Sequence, residues 1–216
     1  CNSGICGANK VCTADSNCTA VPNKPYCRSG YCSNVLYSAN IAGSCSGVST
    51  VATVTAMKGK YKFDLRGGGL SSITKGGTIT ATKRFSVSTS LQIRQICGGT
   101  TGNNYWGYPG VGLLEGSTIK LVAGGTGLNL DGKGGGGGGY AGGYMGGSYN
   151  GYSWDGTKGS SKATSGAGTG GFYKSAYGGT GYCASDYSCT GTYATWDSRA
   201  YIAITYCGPN ANSTCP

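Results

Sequence analysis

Seven of the chain's twelve cysteines fall within its first 45 residues: Cys1, Cys6, Cys12, Cys18, Cys27, Cys32 and Cys45. The other five, Cys97, Cys183, Cys189, Cys207 and Cys215, are scattered over the remainder. Thiols at this density stay paired only in an oxidising compartment. The chain is therefore expected outside the cell, secreted or on a cell-surface appendage, with every cysteine in a disulfide. Odd numbers on the two sides of residue 45 require at least one bridge between the groups if pairing within the chain is complete. Cys45 is the expected crossing partner, because the six cysteines before it can close among themselves. Cys183 and Cys189, in CASDYSC, are spaced to close a small loop. The rest of the connectivity stays open.

The cysteine-dense head carries an internal echo. CNSGIC (1–6) and CRSGYC (27–32) share the form C-x-S-G-x-C, with CTADSNC (12–18) between them. The unit reads C-x5-C-x8-C-x4-C, which makes Cys1–Cys6 look like the tail of a preceding unit. With no starting Met and no leader, the chain is expected to be a processed form or a segment of something longer. Residues 1–45 form a disulfide module too small to bury a core alone, similar to the small cysteine-rich repeats of secreted eukaryotic proteins. Residues 46–216 read as a second, glycine-rich β domain.

Alternation at period two marks the strands of that domain. It runs through VSTVATVTAM (48–57) and KYKFDL (60–65). It continues through 77–96, with a bend expected near Lys83-Arg84, then GSTIKLVAG (116–124) and RAYIAITYC (199–207). Little or no α-helix is expected from a chain so rich in Gly, Ser, Thr and Tyr. A glycine-rich insertion spans about 125–181 and contains GKGGGGGGYAGGYMGGSYNGY (132–152). Its Tyr and Trp content is unlike a flexible linker, so it is expected to be ordered. Its local period of four excludes collagen.

Three stretches together carry a resemblance: KFDLRGGG (62–69), STIKLVAGGTGLNLDGKGGGGGGYAGG (117–143) and AYIAITY (200–206). Their succession resembles the glycine-rich domain of the anaplastic lymphoma kinase receptor family and of bacterial and phage surface adhesins. The resemblance covers about 60–207. It implies a β framework carrying polyglycine-II segments, used for adhesion, receptor–ligand contact or assembly, with no catalytic residue to carry over.

Catalytic and cofactor chemistry finds little support. The chain has no histidine and no cysteine spacing that suits zinc, so neither a metal nor a cofactor is expected. GLNLDGKG (127–134) places Gly134 where a phosphate loop needs Ser or Thr, and GAGTGG (166–171) lacks a βαβ unit. The seven carboxylates are Asp15, Asp64, Glu115, Asp131, Asp155, Asp186 and Asp197, and spacing nominates no opposed pair among them. An enzyme is not expected.

Surface chemistry is more informative. Seventeen tyrosines and three tryptophans against three phenylalanines favour rings with a polar handle, suited to interfaces. Tyr140, Tyr144, Tyr149, Trp154 and Trp106 are the expected contact residues. The same rings could instead cap glycine layers within one chain. The net charge of +10 fits an anionic partner such as an acidic polysaccharide, with Lys58, Lys60, Lys62 and Arg66 the densest cluster. No nucleic-acid module is visible, and no apolar run is long enough to span a membrane. Sequons at Asn17 and Asn212 are candidate glycosylation sites, expected to face outward.

These features imply a structural subunit that polymerises with itself into an extracellular filament, fibre, sheath or flagellar hair. The competing readings are a secreted adhesin binding glycan or protein through aromatic loops, and an ice-binding protein. Tyrosines protruding from the GGYM rhythm argue against a flat ice-binding face.

Overall fold

A computed structural model of the chain describes residues 11–41, 48–69, 76–97, 108–125, 128–130, 133–135, 138–141, 144–149, 152–153, 181–194 and 199–216. The chain is mainly β, and the single helical element among these residues is a 3-10 turn at Asp15–Cys18. The strands are β1 (Tyr26–Arg28), β2 (Tyr31–Ser33), β3 (Val35–Ile41), β4 (Val48–Ala56), β5 (Gly59–Arg66), β6 (Gly76–Phe85) and β7 (Thr89–Ile96). They continue with β8 (Gly110–Glu115), β9 (Thr118–Ala123), β10 (Leu128–Leu130), β11 (Lys133–Gly135) and β12 (Gly138–Ala141). The last are β13 (Tyr144–Tyr149), β14 (Tyr152–Ser153), β15 (Tyr182–Cys183), β16 (Ser188–Ala194) and β17 (Ala200–Gly208).

Alternation in sequence becomes alternation in burial. Along β5 the side chains of Tyr61, Phe63 and Leu65 are buried while Lys60, Lys62, Asp64 and Arg66 lie on the other face. β17 behaves alike, with Ile202 and Ile204 inward and Tyr201, Ala203 and Thr205 outward. One ladder orders the first five-stranded sheet β15-β9-β8-β7-β4, and another orders the second sheet β16-β6-β5-β17-β3. All pairings are antiparallel. The core lies between the two sheets. Phe63, Leu65, Ile79, Ile202 and Ile204 of the second pack on Leu91, Ile93, Val111, Leu113 and Leu121 of the first. Apolar inner faces of two sheets bury each other in this way without help from helices.

The turn between β6 and β7 falls at residues 86–88, later than the bend expected at Lys83-Arg84. Lys83 and Arg84 are still in the ladder, opposite Tyr61 and Lys60, and that pairing carries β6 on to Phe85.

The cysteine-rich head and the sandwich share structure. The β1–β2 hairpin turns through Ser29 and Gly30, both at positive φ, as a two-residue turn requires. Directly after it, β3 joins the edge of the second sheet beside β17. Tyr26 of β1 is buried in the main core.

The glycine-rich insertion, where described, also pairs. β10 with β11 forms one hairpin, and β12-β13-β14 forms a three-stranded sheet. β12 approaches β8 and β9, and β13 approaches β7, with Cα atoms within 8 Å. Ordinary sheets pack face to face at about 10 Å. The closer approach has a source in β8, where Val111 and Leu113 enter the core and Gly110 and Gly112 alternate with them. On its outer side that strand therefore presents bare backbone at two positions. β12 and β13 thus lie over the first sheet as part of a third layer.

Candidate functional site

The densest group of charged side chains among the described residues joins β6, β8, β9 and the turn between β15 and β16. Lys83 belongs to the inner face of β6, in register with the core residues Ala81 and Phe85. Its Nζ donates to Glu115 Oε1 at 2.5 Å and to Asp186 Oδ2 at 2.6 Å. Lys120 Nζ, from β9, donates to the same Asp186 oxygen at 2.9 Å, and the Tyr187 hydroxyl donates to Glu115 Oε1 at 2.7 Å. Lys83 also sits over the Tyr187 ring, 4.6 Å from its centroid. The cluster therefore ties the second sheet to the first, through the turn that joins β15 to β16.

The electrostatics follow from this geometry. Burial alone would raise the Asp186 carboxyl, but hydrogen bonds from Lys83 and Lys120 reverse that and hold it at about 2, against an ordinary 3.8. The bond to Asp186 in turn raises the Lys120 ammonium. Burial, reinforced by the bond to Glu115, pushes the Tyr187 phenol far above its usual range. Two cations face two carboxylates, so the cluster is neutral. A carboxylate held charged near pH 2 cannot serve as a general acid at neutral pH. The arrangement works as a cross-sheet brace. Glu115 and Asp186 do come together, through a shared lysine, although no spacing in the sequence pairs them.

A second junction is built from backbone. Gly67 N–H donates to Gly77 O at 2.8 Å, Gly77 N–H to Gly124 O at 2.8 Å, and Gly68 N–H to Pro109 O at 2.9 Å. A Cβ at Gly67 would collide with the Gly124 carbonyl, one at Gly76 with the Gly67 carbonyl, and one at Gly125 with the Tyr108 carbonyl. Only glycine permits this approach. The strand ends KFDLRGGG and LVAGG, which carry part of the family resemblance, meet at this seam.

Aromatic rings pack at the other end of β5, beside Lys83. Tyr61 lies 5.3 Å from Tyr206 and 5.6 Å from Phe85, centroid to centroid, and Phe63 lies 5.4 Å from Tyr187. The Tyr26 and Tyr61 hydroxyls are hydrogen-bonded to each other inside the core. None of these four tyrosines is among the expected contact residues. For Tyr61 and Tyr206 the alternation of β5 and β17 carries the signal, and Tyr26 and Tyr187 have none in the sequence.

The disulfides are largely visible. Cys12 pairs with Cys27, Cys18 with Cys32, Cys183 with Cys189, and Cys207 with Cys215. Cys97 is also disulfide-bonded. Cys1, Cys6 and Cys45 lie outside the described residues. The sulfurs of Cys12, Cys18 and Cys32 lie within 4.8 Å of one another, but each is in a disulfide and offers no thiolate to a metal.

Of the remaining candidates, Asn17 and Asn212 are both exposed. Two members of the basic cluster are engaged by the C-terminal segment: Lys60 donates to Ser213 O at 2.9 Å and Lys62 to Pro216 O at 2.8 Å. Arg66 lies over the Tyr201 ring. By backbone register Tyr140 opposes Met145, Tyr144 opposes Ala141, and Tyr149 opposes Tyr152 in the third layer. Trp106 and Trp154 lie outside the described residues. No helix among the described residues is long and apolar enough to cross a membrane. No protein-family model matches the chain, and no curated protein is significantly similar to it.

Proposed function

We propose that this chain is an extracellular structural protein, the repeating subunit of a surface filament, fibre or sheath. The observation that carries the reading is the neutral brace formed by Lys83, Lys120, Glu115 and Asp186. The densest charged cluster among the described residues is closed upon itself and joins two sheets, which is what a load-bearing body needs and a reactive site does not. Disulfides at both ends of the chain support the same reading and an oxidising, extracellular setting.

Electron microscopy of native material, with sedimentation of the purified chain, tests the proposal. Ordered polymers whose repeat matches one chain or a small set of chains support it. Dispersed monomers at high concentration, with disulfides intact and no polymer at the source, reject it in favour of an adhesin.

A further inference from the structure

The two flanks of the sandwich are built differently. On one, β15 is two residues long, and the turn to β16 is closed by Cys183–Cys189 and pinned by the Lys83 and Lys120 bonds to Asp186. On the other, the first sheet ends in the nine-residue β4 and the second in β3, which is as long as β16, and these two strands approach each other. Among the described residues no strand pairs with the outer edge of either.

Neither edge strand of this second flank carries a charged residue of its own, and the one cation bonded to β3 is Arg28, which donates to Leu36 O and pairs with Asp15. No Asp, Glu, Lys or Arg occurs between Arg28 and Lys58, a stretch that contains both edge strands, in a chain whose net charge is +10. β4 reads VSTVATVTA, with no glycine and no proline. Its one irregularity is a register shift between Thr50 and Ala52, beyond which Ala52–Ala56 pair regularly with Ile93–Thr89 of β7. Sheet edges are ordinarily guarded by lysines, prolines, bulges or short length. Only the bulge is present here, and it leaves the Ala52–Ala56 arm open.

We infer that the β4 edge is the docking surface for a second copy of the chain. The two β4 strands pair antiparallel about a two-fold axis, so that two five-stranded sheets become one. Self-pairing fits because an uncharged edge lets two strongly basic chains meet without repulsion between the contacting strands. The inference rests on the proposal that the chain assembles with itself, and it names one of the contacts. A two-fold contact of this kind makes pairs only, and a polymer needs a second surface to link them.

Thr53 and Thr55 give a clean test. Both are exposed, and both belong to the face of β4 opposite the partly buried Ala52 and Val54. Charge there leaves the core intact, which unchanged melting temperature checks. A Thr53→Lys/Thr55→Lys variant is expected to weaken self-association roughly tenfold or more, because like charges then face each other across the strand pair. An equimolar mixture with Thr53→Glu/Thr55→Glu is expected to restore it, read by sedimentation velocity. Association of the lysine variant as strong as wild type places the contact elsewhere and overturns this inference while leaving the polymer proposal standing. A wild-type chain that stays monomeric overturns both. Slow exchange of those β4 amides that do not bond to β7 would show, in such a monomer, that the chain covers its own edge.

Discussion

Lys83 stands directly opposite Tyr61 in the β5–β6 ladder, so a lysine and a fully buried tyrosine share one inner row of the second sheet. A cation on the inner face of a sandwich is tolerated only when its charge is met. Glu115 and Asp186 meet it, and the rings of Phe85 and Tyr187 lie 5.4 and 4.6 Å from the ammonium.

Replacing that lysine tests the brace. Lys83→Met keeps the stem but leaves Glu115 partly buried without its cation. The expected loss is roughly 1–3 kcal/mol in chemical denaturation with disulfides intact. Lys58→Met, at an exposed position, is the control and is expected to change stability by less than about 0.5 kcal/mol. A double variant Lys83→Met/Glu115→Gln is expected to lose less than the sum of its parts, since each change removes the same bond. Equal effects for Lys83→Met and the control would show that the brace contributes nothing.

Alanine at the glycine seam has nowhere to go. Gly67→Ala and Gly76→Ala each force backbone against backbone, so a shift of one sheet end is required. Each is expected to cost roughly 1–3 kcal/mol or to prevent folding. At Gly30 a Cβ meets nothing within 4 Å, and Gly30→Asn, which tolerates positive φ, is expected to be nearly neutral. Melting temperatures of the three variants decide the matter, and a harmless Gly76→Ala would refute the close approach.

Alkaline pH should unfold the protein through its buried phenols. Burial raises Tyr26, Tyr61 and Tyr187 above the ordinary 10.0, Tyr61 and Tyr187 most strongly. Below pH 10 both folded and unfolded chains keep these protons, so they make no difference. Above it the unfolded chain releases them and the folded chain does not, so stability falls by up to about 1.4 kcal/mol per pH unit for each tyrosine. Tyrosinate absorbance from these residues is expected to appear together with loss of near-ultraviolet dichroism. Tyr61→Phe removes one titrating group and should make the decline shallower. Smooth titration of every tyrosine without unfolding would contradict the burial.

Cys97 is expected to pair with Cys45. The other four cysteines beyond residue 45 are paired with one another, as Cys183–Cys189 and Cys207–Cys215, and Cys12, Cys18, Cys27 and Cys32 are paired too. Cys97 follows Ile96, which opposes Val48 at the start of β4, and Cys45 precedes Val48 by only three residues. A peptide joining Cys45 to Cys97 is therefore expected in a non-reducing digest. Recovery of Cys97 linked to Cys1 or Cys6 would overturn the assignment.

The sequence by itself determined the strands of β5 and β17, because alternate burial along a strand is a local property written at period two. It determined the small Cys183–Cys189 loop for the same reason, since the two residues are 6 apart. It also raised the expectation of an ordered insertion; the described parts of that insertion pair as strands, and residues 154–180 lie outside the described residues. What it could not contain is sheet order. Lys83 meets Glu115 across 32 residues and Asp186 across 103, and only the passage of the chain from β15 in one sheet to β16 in the other brings them together. The same holds for Tyr26, which belongs to the cysteine-rich head by sequence and to the sandwich core by packing. The glycines of the seam look like any others in a glycine-rich chain until two strand ends are seen to cross there. The open flank is likewise a tertiary fact. A charge-free stretch is visible in the sequence, but its place at the edge of both sheets depends on which strands found partners and which did not.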